Sequence, residues 1–443
     1  MKKRLLSILL IGVMSLSLLA CSNKTDSQKD NNKGNAENKT DDKTDDKKDE
    51  SEEIGTKTPN DFKKFIIGVA EPQAIDEVVI RRDYYENYIA PRYNVEFIFS
   101  EQVKSADDEL SFIENCADAG ADAIISYRGD DTDQMAQVCR EYGMVYAINY
   151  PRNMQTEDVF AGGYENFTGG FTADQPYVGS LFGNWLASNA SEDGSEGFII
   201  TTAMAFRGNA QHIESTLAVL KAIQDKYGLT YEDTIENITV TSAPLEVAND
   251  KNIRIYIYPG SVTTNEGWLQ GVSAALQTGN YGVFIQTGQT FPSTAVVVDE
   301  VEKTFDIDIK VASVASMSES LTNAFNTQDK YGNPSLNMAT VKSTSLVSSM
   351  GFVKVYNALT GYNNLNIDAA GDQGVIMFRM WGVETPEQVN ALSTWDIAGG
   401  GKWVFDNSLI DRTLGIYNPE LTFEDIQEVY YSVSFEDALS RLN

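Results

Sequence analysis

Short runs of apolar residues alternate with longer amphipathic patterns from residue 65 onward, and this alternation restricts the fold more than any other feature. The run FIIGVA at 65–70 is almost wholly apolar, which is typical of a strand buried on both faces of a parallel sheet. Met135, Val138 and Cys139 recur at the helical spacing i, i+3 and i+4. The strands predicted in this half span 65–70, 94–100, 121–126, 144–149 and 159–163. The predicted helices cover 74–90, which ends before Pro91, about 106 to Gly120, and about 135–142.

The same alternation starts again near residue 173. The second set of predicted strands spans 197–202, 238–243, 281–288, 307–314 and 335–341. The second set of predicted helices covers about 173–189, 213–227, 265–278, 292–303 and 345–359. The apolar run NIRIYIYPG at 252–260 is not assigned to any element. Strands that alternate with helices need crossover connections, so the sequence predicts an α/β fold with two doubly wound parallel-sheet lobes and a cleft between them.

The chain begins with a segment that is typical of export. Three basic residues at 2–4 precede an apolar run at 5–20, which is the pattern of a secretory signal. The letters LLAC at 18–21 resemble the lipobox of bacterial lipoproteins, which implies a lipid on Cys21 and anchoring to the cell membrane. An ordinary signal peptide with a stray cysteine is the alternative. Residues 22–58 hold almost no apolar side chain and are predicted to be a disordered tether.

The predicted domain boundaries follow from these changes in composition and pattern. They are 1–20 for the signal peptide, 21–60 for the tether, 61–165 plus about 342–367 for lobe 1, 166–341 for lobe 2, and 368–443 for a C-terminal extension packed on the lobes. The extension holds three tryptophans and a glycine triplet. A lid or a surface for a partner is the alternative to simple packing.

Charge and residue counts exclude several classes of function. The formal net charge is −30 at pH 7, whereas nucleic-acid binding needs basic patches, so no nucleic-acid partner is expected. Cys116 and Cys139 are predicted to be buried free thiols, with a disulfide as the alternative. His212 is the only histidine, which excludes a zinc site built on histidines, and its helix pattern predicts a surface position. No cofactor, metal or catalytic constellation is predicted.

Three segments carry a resemblance to a known family. They are DELSFIENCADAGADAIIS at 108–126, MAQVCREYGMVYAINY at 135–150 and TTAMAFRGNAQHIESTLAVLKAI at 201–223. In order of elements, residues 62–360 resemble the type I periplasmic-binding-protein superfamily, in its sugar-binding branch. This resemblance implies that a multi-strand hinge joins the two lobes. It also implies a monomeric, extracytoplasmic solute-binding lipoprotein that serves a membrane ABC importer. It also implies that Arg207 reaches the ligand.

Candidate ligand residues follow the predicted strands, because ligands of open α/β sheets bind beyond the carboxyl ends of strands. Amide, carboxylate and guanidinium groups can bind paired hydroxyls, and aromatic rings can cover a sugar face. The candidates are Glu71, Gln73, Tyr127, Arg128, Asn149, Tyr150, Phe206, Arg207, Thr287, Gln289, Ser313, Ser316, Lys342 and Ser343. Each has the alternative role of a helix cap or turn residue.

Two positions depart from the sugar-binding branch. Thr287-Gly288-Gln289 stands where that branch usually has an Asn-Asp pair, and Ala315 or Ser316 stands where it usually has an aspartate. The expected solute is therefore a small polar molecule, a sugar above all, with a nucleoside or polyol as alternatives. The alternative functions are a sugar sensor that feeds a membrane receptor and an anchored extracellular carbohydrate-active enzyme that uses two carboxylates.

Overall fold

The computed structural model describes residues 57–72, 76–129, 131–149, 165–262, 265–400 and 402–442. The predicted signal peptide, almost all of the predicted tether, the predicted strand at 159–163, and Cys21, Gln73 and Tyr150 lie outside these residues. From residue 57 the described chain belongs to one compact unit. Within these ranges, no helix combines the length and the apolar character needed to cross a membrane.

The first sheet is wholly parallel in its described pairings. Its strands are β1 Phe65–Glu71, β2 Val95–Gln102, β3 Ala123–Ser126, β4 Val145–Asn149, β5 Phe167–Ala173 and β12 Val375–Phe378. They lie in the order β12-β5-β4-β3-β1-β2. All residues of β3 are buried, as expected for a strand covered by helices on both faces. The apolar runs that predicted β1, β3 and β4 reflect this burial, whereas β2 is a half-buried edge strand, and all four predicted strands are confirmed.

The second sheet is parallel in its centre and antiparallel at both edges of its described part. Its strands are β6 Phe198–Thr201, β7 Leu245–Glu246, β8 Ile255–Tyr258, β9 Val283–Gln286, β10 Lys310–Ser316, β11 Met338–Lys342 and β13 Trp381–Val383. They lie in the order β13-β11-β10-β9-β6-β8-β7. Only the pairings of β13 with β11 and of β7 with β8 are antiparallel among the described pairings.

The helices fill the connections between strands and cover the sheets. They are α1 Asp76–Asp83, α2 Ala90–Tyr93, α3 Ala106–Asp118, α4 Thr132–Glu141, α5 Gln175–Asn189, α6 Ala210–Tyr227, α7 Ile235–Thr239, α8 Trp268–Leu276, α9 Phe291–Phe305, α10 Glu319–Asn326, α11 Thr344–Leu359, α12 Pro386–Leu392, α13 Asn407–Ile410, α14 Phe423–Tyr431 and α15 Phe435–Leu442. A π-helical stretch, Tyr84–Ile89, joins α1 to α2. Short 3₁₀ turns cover Pro59–Asp61, Ala205–Arg207, Asn363–Asn366 and Asp411–Thr413.

Local sequence explains where several helices begin and end. Ser105 caps α3 by accepting a hydrogen bond from the Asp108 amide at 3.2 Å, and the Asp108 carboxylate accepts one from the Ser105 amide at 3.0 Å. Asn209 caps α6 in the same way through the His212 amide at 3.1 Å. Gly228 ends α6 with φ +59°, which glycine adopts without steric cost.

The chain passes between the two sheets several times. It leaves β5 for α5, which packs on α6 of the second lobe, and it leaves β11 for α11, which packs on the first sheet. It crosses again between β12 and β13, and once more between α12 and α13. Gly351 allows the close approach of α11, because a Cβ there would lie 2.8 Å from Cγ2 of Ile125. These crossings hold the two strand edges opposite one another.

The strand predicted at 238–243 is wrong. Residues Ile235–Thr239 form α7, capped by Thr234, whose side chain accepts a hydrogen bond from the Asn237 amide at 3.2 Å. The strand of this region is β8, which lies in the unassigned run and pairs with β6 in the sheet interior. Helix capping and the burial of Ile238 outweigh the β propensity of ITVT.

Two further elements differ from the sequence prediction. The strand β5, FTGGFTA, was predicted as part of lobe 2 but pairs with β4 and β12 in the first sheet. Its Gly169 has φ +85°, and a Cβ there would lie 2.2 Å from the Gly374 carbonyl oxygen. This glycine within a strand therefore marks close packing rather than a turn.

The first helix also continues beyond its predicted end, through Pro91 to Tyr93. Because Pro91 has no N–H group, it cannot bond the carbonyls one turn earlier in the helix. Those carbonyls belong to the exposed residues 86 and 87, where water can reach them.

The C-terminal residues, predicted to pack on the lobes, also enter both sheets. β12 extends the first sheet beside β5, and β13 extends the second sheet beside β11. A short strand that joins an existing edge leaves little periodicity in the sequence, so only the sheets reveal this role.

The two thiols and the histidine complete the comparison with the sequence. Cys116 and Cys139 are both buried and free, which confirms that prediction, and burial raises the pKa of each thiol. His212 is half-buried rather than on the surface, and its Nδ1 accepts a hydrogen bond from the Met204 amide at 3.2 Å. The start of α6 places His212 against the end of β6. The helical pattern of the sequence alone does not show this contact.

Candidate functional site

The carboxyl ends of the strands in both sheets meet at α1, which follows β1. Glu77, in the first turn of α1, contacts the second sheet through two bonds. Its Oε1 lies 3.0 Å from Nζ of Lys342 at the end of β11. Its Oε2 accepts a hydrogen bond of 2.8 Å from the hydroxyl of Ser316 at the end of β10. One carboxylate of the first lobe therefore joins two strand ends of the second.

Arg81, one helical turn after Glu77, forms the centre of the same group. Its Nη2 donates to Oε1 of Glu77 at 2.7 Å, and its Nη1 donates to Oε2 of Glu71 at the end of β1. Its guanidinium carbon lies 3.4 Å from the ring centroid of Tyr127, which follows β3. The side chains of Glu71, Glu77 and Arg81 are all buried. A guanidinium held by two carboxylates and an aromatic ring is a rigid, oriented donor.

The surrounding side chains extend this group in both lobes. Gln289, after β9, donates its amide Nε2 to the Ser316 hydroxyl at 2.8 Å. The Tyr127 hydroxyl lies 2.9 Å from that of Tyr85, which donates to the Ser348 carbonyl at 2.7 Å. We call the following six residues the interlobe cluster. Its members are Glu71, Glu77, Arg81, Gln289, Ser316 and Lys342.

The two carboxylates of the interlobe cluster have opposite pKa shifts. Burial works to raise the pKa of Glu77, but the charges of Lys342 and Arg81 and the hydrogen bonds from Lys342 and Ser316 outweigh it and hold the pKa at about 2. Burial raises the pKa of Glu71 despite its contact with Arg81. Glu77 is therefore a carboxylate at neutral pH, whereas Glu71 sits in a site that disfavours its charge.

Two buried polar atoms of the interlobe cluster have no hydrogen-bond partner among the described residues. They are Oε1 of Glu71 and Nε of Arg81. Each unmet group costs about 1–3 kcal/mol, and polar atoms left unpaired in a protein interior are uncommon. One is an acceptor and the other a donor, which is the pair of functions that a hydroxyl group supplies.

A third buried carboxylate, Asp396, connects the crossings beside the cluster. Asp396 accepts hydrogen bonds from the Ser345 amide at 2.9 Å, the Ser345 hydroxyl at 2.7 Å and the Val404 amide at 3.0 Å. It also accepts one from the Ser343 hydroxyl. This side chain thus connects the start of α11 to the segment that follows α12, two of the passages between the lobes.

The structure brings together five of the candidates from the sequence. Glu71, Gln289, Ser316 and Lys342 belong to the interlobe cluster, and Tyr127 lies under Arg81. Sequence reasoning missed Glu77 and Arg81, because it considered only loop residues after strands. Their i, i+4 spacing of opposite charges was the available signal, although that spacing is common on exposed helices.

The other described candidates lie elsewhere. Arg128 pairs with Glu109 and Asp131 within the first lobe. Thr287 is buried and bonds Thr216 and Thr201. Ser313 is buried and bonds the carbonyl groups of Gly288 and Val314, and Ser343 caps α11. Asn149 is half-buried at the end of β4. Arg207 is exposed on the turn after β6, with its guanidinium 5.3 Å from the ring centroid of the half-buried Phe206.

Comparison with known proteins gives the fold its class. No family model and no curated protein matches the chain. Among solved structures, a solute-binding protein of an ABC transporter from Bacillus halodurans C-125, with bound myo-inositol, matches with a TM-score of 0.51 and 17% identity, and covers 75% of this chain and 98% of its own. A carbohydrate transporter protein from Acidothermus cellulolyticus 11B, in complex with myo-inositol, matches with a TM-score of 0.51 and 13% identity over 76% and 100%.

A third solved structure agrees with these two. It is an ABC transporter solute-binding protein from Burkholderia graminis C4D1M in complex with D-arabinose, with a TM-score of 0.51, 10% identity, and coverage of 72% and 94%. The predicted fold class, two α/β lobes of the type I periplasmic-binding-protein fold, is confirmed. About a quarter of the chain lies beyond each of these matches.

Proposed function

We propose that this chain is a solute-binding protein that captures a small polar solute, of the sugar or cyclic polyol class, between its lobes and delivers it to an ABC importer. The observation that carries the proposal is the buried Glu71–Arg81 pair with its unpaired acceptor and unpaired donor. These atoms lie at the strand ends where ligands of open α/β sheets bind.

The chemistry of the interlobe cluster suits hydroxyl-rich ligands. A carboxylate and a guanidinium side by side can accept from one hydroxyl and donate to its neighbour. Tyr127 offers an aromatic face, and Gln289 offers an amide that can both donate and accept hydrogen bonds. The three structural neighbours above, with myo-inositol or D-arabinose bound, favour the same class of ligand.

The solute must enter by separating the two lobes. Glu77 bonds both Ser316 and Lys342, so the described arrangement is closed by direct contacts between side chains. A solute that replaced these bonds with its own hydroxyls would close the same cleft around itself, as in hinge closure. Binding is therefore expected to be an exchange of polar partners rather than the filling of an apolar cavity.

A thermal-shift screen tests the proposed ligand class. The protein would be residues 55–443, which form one compact unit, and the panel would hold myo-inositol, D-arabinose, hexoses, nucleosides and amino acids. A ligand at 100 times its dissociation constant stabilises the native state by about 2.7 kcal/mol. Stabilisation by amino acids alone would contradict the proposal. Chemical conversion of a stabilising sugar during incubation would favour the enzyme alternative.

The lipid anchor and the importer form a second part of the proposal. The lipobox-like segment before Cys21 supports extracytoplasmic anchoring, and we expect a monomer that shows no binding to nucleic acid. Cys21→Ala should release the protein from the membrane fraction into the medium, whereas the matched variant Cys116→Ala should stay bound. Deleting the gene should abolish uptake of the labelled solute; normal uptake with a lost transcriptional response would favour the sensor alternative.

A further inference from the structure

Three carboxylates meet at the edge of the second sheet that lies opposite the interlobe cluster. Glu302 is in the last turn of α9, Asp308 comes just before β10, and Asp329 lies in the loop between α10 and β11. One oxygen of each lies within 4.8 Å of the corresponding oxygens of the other two. Because β10 starts here and ends at Ser316, the full length of the strand separates this acidic group from the candidate solute site.

Each of these carboxylates is held in place through one of its oxygens. Oε1 of Glu302 accepts a hydrogen bond from the Ile309 amide at 3.0 Å, and Oδ2 of Asp308 accepts one from Nδ2 of Asn333 at 3.1 Å. Oδ1 of Asp329 accepts from the Tyr331 amide at 2.7 Å and the Asn333 amide at 2.9 Å. Such bonds orient a carboxylate and leave its second oxygen available, as outer partners do around metal sites.

The second oxygen of Glu302 is buried without a partner. The residue is 2% exposed, and its Oε2 makes no hydrogen bond to any described residue. Its Oε1 is engaged by Ile309, so Oε2 is the oxygen available to the group formed with Asp308 and Asp329. Burial raises the pKa of Glu302 to about 7, and the charges of Asp329 and Asp308 add to this shift.

The two neighbouring lysines each form an ion pair with a carboxylate outside this group. Lys330 pairs with Asp306 at 2.8 Å, and Lys310 pairs with Glu196 at 2.6 Å. Among the described residues, no ion pair reaches Glu302, Asp308 or Asp329 within 4.0 Å. Three converging carboxylates therefore share a space that holds an excess of negative charge.

We propose that Glu302, Asp308 and Asp329 bind a calcium ion. All three ligands offer oxygen, which suits a hard cation, and the group contains no histidine or cysteine for zinc. Calcium–oxygen distances of about 2.3–2.6 Å allow two ligands of one ion to lie up to about 5 Å apart, which the observed separations satisfy. Calcium takes about 6–8 oxygens, so water or loop carbonyl groups complete the shell.

The bound ion would connect three parts of the second lobe. It would tie the end of α9 and the start of β10 to the loop at 327–335, whose own turn depends on Gly332 with φ +85°. Its role is structural, and the inference does not depend on the nature of the solute or on the proposed transport function.

Thermal unfolding of metal-free protein in the absence of solute tests the calcium site. The dissociation constant of calcium is first measured by calorimetric titration with CaCl₂ alone. The protein is then treated with chelator, exchanged into buffer, and unfolded with and without CaCl₂ at 100 times that dissociation constant. The midpoint temperature of unfolding is expected to rise by about 5 °C with calcium. Asp308→Asn, an exposed position, and Glu302→Gln should each reduce the rise to about 1 °C or less.

The matched control is Glu300→Gln, an exposed carboxylate on the same helix, two residues before Glu302 and therefore on nearly the opposite face. It should keep the full calcium response. The proposal is overturned if calcium leaves the wild-type midpoint unchanged, if Asp308→Asn responds like the wild type, or if sodium at equal ionic strength gives the same rise. A solute screen that failed would leave this result untouched, because no solute is present.

Discussion

Glu77 and Lys342 are 265 positions apart in sequence, and their carboxylate and ammonium groups lie 3.0 Å apart across the two lobes. Glu77 belongs to the first helix after β1, and Lys342 ends the last parallel strand of the second sheet. Lys342 is about one-fifth exposed, whereas Glu77 is buried. This pair, with the Ser316 bond to the same carboxylate, joins the first helix to the ends of two strands of the second sheet.

Glu77→Gln should destabilise the protein, because Arg81 would lose one of its two carboxylates while staying buried. Breaking one partner of a buried ion pair costs about 3–5 kcal/mol, and we expect a loss near the lower limit because Lys342 can turn to water. Urea unfolding measures the loss. Asp225→Asn, which breaks the exposed pair with Lys221, is the control and should change stability by less than about 1 kcal/mol.

Gln289→Ala and Ser316→Ala should weaken solute binding without unfolding the protein, because neither side chain is buried. Each removes a hydrogen-bonding group of about 1 kcal/mol, which corresponds to roughly a fivefold loss of affinity. Calorimetric titration with the solute found in the screen measures this. Gln137→Ala, an exposed glutamine on α4, should keep the wild-type affinity. Equal affinities for all three variants would remove Gln289 and Ser316 from the site.

Arg207→Ala distinguishes the sequence-based expectation from the interlobe cluster. The resemblance implies that Arg207 contacts the solute, but the side chain is exposed beside Phe206. If lobe movement brings it to the ligand, its loss should weaken binding by about 1.5–3 kcal/mol, or more than tenfold. An unchanged affinity, measured in the same titration, would leave the cluster as the candidate site without Arg207.

Asp396→Ala should destabilise the hinge, since four hydrogen-bond donors would lose their acceptor in a buried place. The expected loss is about 3 kcal/mol or more of unfolding free energy. Asp396→Asn should cost less, because asparagine retains one acceptor oxygen and tolerates the left-handed φ of +49° at this position. Guanidinium unfolding of both variants checks the predicted order of their unfolding free energies. A larger loss of unfolding free energy in the asparagine variant would contradict the prediction.

Lys354 should make stability rise with pH above neutrality. Burial lowers its pKa from 10.5 to about 7, with Asp368 opposing the shift. A neutral amine still has two hydrogens for its two acceptors, the carbonyl groups of Thr168 and Gly374, each 2.8 Å away. Between pH 7 and pH 10.5 the unfolded chain therefore binds more protons than the folded chain, and stability increases with pH.

Comparison with Lys354→Met isolates this contribution, because methionine has similar volume and no titrating group. From pH 7 to pH 9 the wild type should gain about 2.3 kcal/mol relative to the variant, because the folded-state lysine is already half deprotonated at pH 7. Urea unfolding at several pH values measures the difference. A constant difference over this range would mean that Lys354 stays charged in the fold.

Thiol labelling checks the state of the two cysteines. Cys116 and Cys139 are buried, and burial raises the pKa of Cys116 to about 12, so neither should react in native residues 55–443 at pH 7. Both should react within minutes in denaturant without a reducing agent. Labelling that required reduction would reveal a disulfide.

Local patterns allowed much of the fold to be predicted. The apolar runs of β1, β3 and β9 and the helical spacing of α4 each reflect burial within one segment, and neighbours in sequence are enough to detect it. The prediction failed where the partner of a segment lay far away. β5 has a glycine at position 169 because it approaches Gly374, next to β12 and some 200 residues later, too closely for a side chain.

The candidate site could be predicted only in part for a related reason. Strand ends pointed to Glu71, Gln289 and Ser316, since the carboxyl edge of a parallel sheet is a property of the fold class. The i, i+4 spacing of Glu77 and Arg81 did not distinguish them, because oppositely charged residues at that spacing are common on exposed helices. Their importance comes from Lys342 and Ser316, whose approach depends on how the two lobes pack.

Hydrophobic periodicity is a local property, so the amino-acid sequence is enough to predict the alternation of strands and helices and, with it, the two-lobed α/β class. The folded structure is needed to learn which polar side chains meet, which strand joins which sheet, and which carboxylates share a space. Those outcomes depend on burial and on contacts between residues hundreds of positions apart, and the energy of a buried charge is set by its surroundings.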